Sequence, residues 1–350
     1  MLGVGSPLLD ILVEVDDVFL AERVSGDKGG MEMVDAAAQQ AILAQLPGKP
    51  RLVPGGSAGN TVFALARLGL DCAMFGKLGN DDNGRFYRNR LKELGGSDEA
   101  FFVTDEQPTG TCLSMVTPDA ERTMRSCLAA SLLLRPEEAE TIDFSKYDFV
   151  YIEGYMLFSA VLPTVMRNAK AAGCRIGLDM ASFEVVRTFR EDLPDILKNY
   201  VDVVMANEEE AAELFPELST EDRLMRLASW CEVAAIKLGR RGCMVRCGNE
   251  IVKVPALVVE RPVDTTAAGD LWAAGFLYGV LKNKPLAEAA WYGSLISHEV
   301  VKVFGSELAD NVWNEIANRL KLEHPDIYEQ FVTVSESRRF SVRASIMEAA

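Results

Sequence analysis

DFVYIEG (residues 148–154), PTVMRNAKAAG (163–173) and RIGLDM (175–180) follow one another closely along the chain. The first and third are short apolar runs, and the middle one spaces its apolar residues as a helix does. Strand, helix, strand is a βαβ unit, whose crossover leaves the two strands parallel. The rhythm then repeats. EVVRTFREDLPDILK (184–198) reads as a helix, VDVVMA (201–206) as a strand, EEEAAELF (208–215) as a helix and VAAIKLG (233–239) as a strand. DTTAAGD (264–270) leads from a short apolar strand into one more long apolar helix, LWAAGFLYGVL (271–281). The expected class is α/β: a doubly wound, mostly parallel sheet flanked by helices on both faces. Ligands of such sheets sit at the carboxyl ends of the strands.

The N-terminal third is patterned differently. LGVGSPLLDILVEV (2–15) reads as a strand, a turn at Ser6–Pro7 and a second strand. The polar stretch SGDKGGMEMVD (25–35) leads into a helix at 35–46. GGSAGNTVFALARLG (55–69) is a turn opening a helix, CAMFGKLG (72–79) a strand, and DDNGRFYRNRLKEL (81–94) a turn and a helix. TGTCLSMVT (109–117), PDAE (118–121) and RTMRSCLA (122–129) form a hairpin pattern, antiparallel rather than βαβ. These β pieces, at about 11–50 and 100–128, are expected to make a small β-sheet lid on a domain spanning 1–330. FVTVSESRRFSVRASIMEAA (331–350) is polar and weakly patterned, a tail or an arm that docks elsewhere.

Composition narrows the function. At 350 residues with 49% hydrophobic content the chain can bury a substantial core. Its 36 basic and 52 acidic residues leave a net charge of −16, which repels nucleic acid and anionic membrane surfaces. No apolar run reaches the roughly 18–20 residues that span a bilayer, and MLGVGSPLLD shows no signal-peptide pattern. Seven scattered cysteines without a CxxC pair fit reduced thiols in a cytoplasm, and two histidines are too few for a His-based triad or zinc site.

The strongest chemical signal is DTTAAGD. There is no GxxxxGK[ST] loop, and GVGSPL (3–8) lacks the third glycine of a dinucleotide fingerprint. Small residues at Ala267, Ala268 and Gly269 let the backbone approach a ligand, and the free N–H groups of a helix start make an anion hole. Asp270 would then sit beside a transferred phosphoryl group, facing an attacking hydroxyl as its base. The same residues also admit a local reading: Thr265 or Thr266 as N-cap, Asp270 as a partner of the helix dipole. GGSAGN (55–60) is either a plain turn or a close backbone approach with the Asn60 amide offered to hydroxyls. NEEE (207–210) makes a capping box of Asn207 and Glu210, or an acidic group orienting water on a magnesium–phosphate complex. Asp10 is exposed by alternation, or an acceptor for vicinal hydroxyls.

Taken together, the motifs resemble one family. DTTAAGDLWAAGFL (264–277) is similar to the C-terminal signature of the PfkB, or ribokinase-like, carbohydrate and nucleoside kinases. GGSAGNTVFALARLGLDCAMFGKLG (55–79) is similar to their N-terminal signature. The resemblance covers about residues 1–320, and GSPLLD, GGSAGNT, PTGTCLSMVTPDAERTM and ANEEEA look most like the adenosine-kinase branch. It implies that Asp270 is the catalytic base, that Ala267, Ala268 and Gly269 form the anion hole, and that Arg122 approaches the transferred phosphoryl group. It assigns Asp10, Gly55, Gly56 and Asn60 to the acceptor's hydroxyls, and Leu8, Met124, Leu128 and Phe183 to apolar walls around a base. Asn207, Glu210, Lys237 and Gly239 would serve ATP and its magnesium–phosphate complex, Glu210 reaching Mg²⁺ through water. The implied cofactors are ATP and Mg²⁺, with a monovalent cation such as K⁺ left open, as is the choice between monomer and homodimer. Two positions depart from the pattern: Ala267 replaces the usual glycine, and Ser6 replaces an asparagine that contacts the purine, without an amide's paired donor and acceptor.

The expected function is an ATP-dependent phosphotransferase acting on the primary hydroxyl of a nucleoside, adenosine first. A sugar kinase of the same family and a non-catalytic nucleoside or nucleotide binder are the alternatives. Asp270 argues against a pure binder, which needs no base at a helix mouth.

Overall fold

The computed structural model describes residues 1–119 and 121–321 and the backbone of 332–334. Its strands, in chain order, are β1 (Leu2–Val4), β2 (Leu8–Glu14), β3 (Met31–Met33), β4 (Arg51–Gly55), β5 (Ala73–Gly79), β6 (Phe101–Thr104), β7 (Gly110–Val116), β8 (Arg122–Cys127), β9 (Phe149–Glu153), β10 (Arg175–Asp179), β11 (Val203–Asn207), β12 (Val233–Lys237), β13 (Cys243–Cys247), β14 (Glu250–Val254) and β15 (Val332–Val334). Among the described residues, ten of them form one sheet in the order β15-β14-β13-β12-β11-β10-β9-β1-β5-β6. From β12 across to β6 every pairing is parallel. The continuous apolar runs of the central strands are explained by this placement: β9 is buried at every position because helices cover both faces. One face packs on the helices Ser57–Arg67, Ala268–Leu281 and Leu286–Val300. The other packs on helices that include Leu162–Ala171, Leu193–Tyr200 and Thr220–Leu227.

The remaining five strands form a second sheet in the order β3-β8-β7-β2-β4. Alternation along it separates two functions. Ile11, Val13, Leu113 and Met115 point to an outer face, where Leu20 and Ile42 from the helices Asp17–Arg23 and Ala36–Leu43 close a small core. Leu8, Asp10 and Leu12 point the other way, in register with Gly110, Cys112 and Ser114. That inner face turns toward the large sheet's domain: a Cβ on Gly305 would meet Leu12 Cδ1 at 2.6 Å.

Several expectations need correction. The segment 184–198 is two helices, Phe183–Thr188 and Leu193–Tyr200, because Pro194 has no N–H to donate and fits only the first turn of the second. Phe101–Thr104 falls within the range expected for the lid, yet it pairs with Gly76–Gly79 in the large sheet. The small sheet instead reaches outside that range, to Leu8–Asp10 and Arg51–Gly55. The edge beyond β12 is antiparallel, a β13–β14 hairpin to which β15 adds. No strand directly precedes DTTAAGD; β14 ends at Val254 and the chain runs irregularly to the helix at Ala268. Of the expected C-terminal tail, Val332–Val334 lies against Glu250–Val252, and 331 and 335–350 lie outside the described residues.

Candidate active site

The helix Ala268–Leu281 opens without a side-chain cap, and Ala267 ahead of it takes a left-handed conformation (φ 57°, ψ 1°). Asp264 does not cap it either. Its Oδ1 accepts from Thr266 N–H at 2.8 Å and its Oδ2 from Gly305 N–H at 3.0 Å, so this carboxylate holds the loop. Asp270 is turned sideways. Its Oδ1 accepts from Ser57 Oγ at 2.8 Å and its Oδ2 from Asn60 Nδ2 at 2.9 Å, both on the Ser57–Arg67 helix. Ala268 N–H donates to Thr265 O at 3.2 Å, so the N–H groups of Gly269 and Asp270 are the ones left to whatever anion arrives. Burial raises the Asp270 pKa to about 6 against the two hydrogen bonds; the Asp179 charge adds to the rise and Lys237 opposes it.

Four strand ends deliver polar side chains beneath this helix mouth. Asp179 closes β10 and accepts from Lys237 Nζ, at the end of β12, at 2.7 Å. A Cβ on Gly269 would stand 3.4 Å from that ammonium, which places Lys237 beside the expected anion hole. Burial works to lower the Lys237 pKa, but Asp179 and Glu210 together hold it raised. Asn207 closes β11 and forms the capping box with Glu210: Oε2 accepts from Asn207 N–H at 2.7 Å, while Asn207 Oδ1 accepts from Glu210 N–H at 2.8 Å. Glu210 is buried beside Lys237 and Asp179, and burial lifts it to about 7. Glu153 closes β9 and accepts from Ser6 and Ala58 N–H groups at 2.8 and 2.7 Å; burial lifts it also to about 7. Gly239 follows with φ +56° and open space around its Cα.

The small sheet closes the other side. Asp10 is buried on its inner face; a Cβ on Gly55 would collide with the Asp10 carboxylate, which is why that neighbour is glycine. Burial raises Asp10 to about 7, with Arg122 opposing and Asp270 and Asp264 adding. Arg122, on β8, reaches across the gap: Nη2 lies 4.0 Å from Asp10 Oδ2, and Nη1 lies 3.5 Å from Asp264 Oδ2 on the large domain. Gly56 takes φ +82° and approaches Ser6 too closely for any Cβ. Leu8 and Leu128 meet over Gly110, whose Cβ would touch Leu8 Cδ2 at 2.6 Å and Leu128 O at 2.7 Å. Met124 stands beside Ser114 and Met31 on the same inner face. Phe183 starts the helix after β10, 37% exposed, with the Arg187 guanidinium 5.4 Å from its ring centroid.

The structure thus gathers Asp10, Arg122, Gly55, Gly56, Asn60 and Asp270 around one space, with Lys237, Asn207 and Glu210 below it. Sequence reading missed Asp179, Glu153 and Ser57, and also Tyr155, which follows β9 and bonds Ser182 while feeling the charges of Glu153 and Asp270. A signal for two of them was present. Asp179 and Glu153 are lone acids that directly follow apolar residues at the carboxyl ends of their strands, where a parallel sheet binds its ligands. Among the described residues all seven cysteines are free, no helix is long and apolar enough to cross a membrane, and no group of three or more His, Cys, Asp or Glu could hold a metal ion.

Known proteins share this arrangement of sheets. The chain is similar to an adenosine kinase from Sinorhizobium meliloti, with a TM-score of 0.81 and 30% identity over 91% of this chain and 98% of that one. It is as similar in shape to a probable sugar kinase from Rhizobium etli, with a TM-score of 0.81 and 28% identity over 91% and 97%. By sequence it is 28% identical to an uncharacterized sugar kinase of Archaeoglobus fulgidus over 252 residues, 70% of this chain and 96% of the relative. The pattern of the pfkB family of carbohydrate kinases matches residues 31–312. With its ribokinase-like α/β fold, the chain belongs to that family, kinases that use ATP to phosphorylate a sugar or nucleoside.

Proposed function

We propose that this kinase transfers the γ-phosphoryl group of ATP to the primary hydroxyl of a nucleoside, adenosine first. The observation that carries the reading is Asp270. It is a half-buried carboxylate at a helix mouth, held by Ser57 and Asn60, between the Asp10–Arg122 side of the site and Lys237. The acceptor's hydroxyls bond to Asp10, while the backbone at Gly55 and Gly56 passes close beneath. Asn60 contributes by holding Asp270. As the acceptor oxygen bonds to the γ-phosphorus, the bond from phosphorus to the leaving ADP oxygen breaks, and the hydroxyl proton passes to Asp270. Charge on the transferred group is met by the N–H group at Gly269, by Lys237 and by Arg122, while Ala268 N–H stays bonded to Thr265 O. Gly239 leaves room for the rest of the nucleotide.

Mg²⁺, when bound with ATP, neutralises charge on its phosphates. Glu210 fits an indirect role toward it: both carboxylate oxygens already accept from Asn207, at 2.7 Å each, which suits a bridging water rather than direct ligation. Leu8, Leu128 and Met124 on the lid, with Tyr155 and Phe183 opposite, supply apolar surface for a base. The likeness to an adenosine kinase at 30% identity supports the same choice. A sugar acceptor is favoured instead by relatives named sugar kinases and by Ser6, whose hydroxyl lacks an amide's paired donor and acceptor for a purine.

The test is ADP formation from Mg·ATP against adenosine, inosine, guanosine, cytidine, ribose and fructose. Turnover on adenosine is expected. Turnover on ribose alone moves the reaction to sugars and leaves Asp270 in place, whereas Asp270→Asn should retain nucleotide binding and lose roughly 10²–10⁴-fold in rate. An Asp270→Asn variant that keeps its activity removes Asp270 as the base.

A further inference from the structure

The inner face of the small sheet carries a row of small hydrogen-bonded side chains that no role above uses. Ser126 Oγ donates to Cys112 Sγ at 3.3 Å, and Cys112 Sγ and Ser114 Oγ lie 3.7 Å apart. Arg122 Nη2 donates to Ser114 Oγ at 2.7 Å. Ser114 has no exposed surface. The register explains the meeting: Ser114 pairs with Met124 and Arg122 with Val116, so the arginine reaches back along its own sheet face to find the hydroxyl.

Arg122 Nε and Nη1 are buried and make no hydrogen bond among the described residues. Nη1 stands 3.5 Å from Asp264 Oδ2, near enough for charge attraction, without hydrogen-bond geometry. Buried donors without acceptors are costly, and they persist where a ligand supplies the acceptors. Charge alone does not aim them. Asp10 on the lid and Asp264 on the large domain both attract the guanidinium, and either could take its planar fork in a two-pronged pair. The Ser114 hydroxyl is neutral and directional, and it occupies one corner of the fork.

We propose that Ser114 positions Arg122 for phosphoryl transfer: its hydroxyl takes Nη2 and leaves Nε and Nη1 to the oxygens of the transferred group. The inference rests on the proposal that Arg122 meets that group. Without Ser114 the guanidinium closes onto a carboxylate and its donors are used up.

A double-mutant cycle tests this, with kcat and KM measured on ATP and on whichever acceptor supports turnover. Ser114→Ala should lower kcat roughly ten- to a hundredfold, the span of one hydrogen bond to a charged group, and leave the KM for ATP within about twofold. In an Arg122→Ala background the same change should alter kcat by less than about twofold. Ser114→Cys, close in volume but a weak acceptor, should behave as the alanine variant does, and it replaces that variant if alanine does not fold. Wild-type kcat in Ser114→Cys or Ser114→Ala, or an equal loss in both backgrounds, overturns the positioning role. Wild-type kcat in Arg122→Ala alone overturns the role of Arg122 itself, a distinct outcome.

Discussion

Replacing Asn60 by alanine should push the acid limb of the pH–rate profile upward. Asn60 Nδ2 and Ser57 Oγ each donate to one oxygen of Asp270, at 2.9 and 2.8 Å, and both favour its ionised form. They work against burial, which holds the pKa up at about 6. A hydrogen bond to a charged group contributes about 1.5–3 kcal/mol. Asp270 is partly exposed, so water recovers some of the loss and the lower figure applies. One pH unit corresponds to about 1.36 kcal/mol. Loss of Asn60 therefore destabilises the carboxylate by about one unit, and the limb moves from near 6 to near 7. At pH 6 the ionised fraction falls about fivefold, whereas at pH 8 it hardly changes. The assay is kcat and kcat/KM from pH 5 to 9 at constant ionic strength. An acid limb that stays put or moves down refutes the assignment of that limb to Asp270.

Other perturbations follow from the same geometry. Ala267→Gly relieves a left-handed residue of about 1 kcal/mol but loses a buried methyl of about 0.8 kcal/mol, so stability should change by less than about 0.5 kcal/mol. Ala267→Val puts a β-branched residue at φ 57° and should destabilise by about 2 kcal/mol in urea unfolding; a neutral valine variant would show that the cap is not held left-handed. Gly55→Ala drives its Cβ onto Asp10 and should raise the acceptor's KM at least about tenfold with the ATP KM little changed; equal effects on both substrates would argue for general disruption. Finally, Asp10, Glu153 and Glu210 have folded pKa values of about 7 and Asp270 of about 6, above their ordinary 3.8 (Asp) and 4.5 (Glu). Between those limits the folded chain binds more protons than the unfolded one, so stability falls as pH rises through that window. The ligand-free protein should melt at a higher temperature at pH 5.5 than at pH 8, and the reverse order would contradict these shifts.

Much of the fold was legible because it is local. The apolar runs of β9 to β12 and the helices between them follow from side-chain spacing, and parallel pairing follows from the crossovers. The antiparallel β13–β14 edge was less visible, since CMVRC and EIVKV are short runs joined by a tight turn after a series of helices. The break at Phe189–Asp192 was also local, yet the charged periodicity on either side masked Pro194.

By itself, the sequence determined the α/β class, the helix mouth at DTTAAGD and the capping box at Asn207–Glu210, because each depends on residues a few positions apart. Only the tertiary structure decided what Asp270 does with its carboxylate, since its partners Ser57 and Asn60 lie 213 and 210 residues away. The same holds for Arg122 between Asp10 and Asp264, and for Lys237 on Asp179, 58 residues apart. The physical reason is burial. Desolvation raises the pKa of Asp270 and of Asp10, and it exists only once distant strands and helices have closed over them.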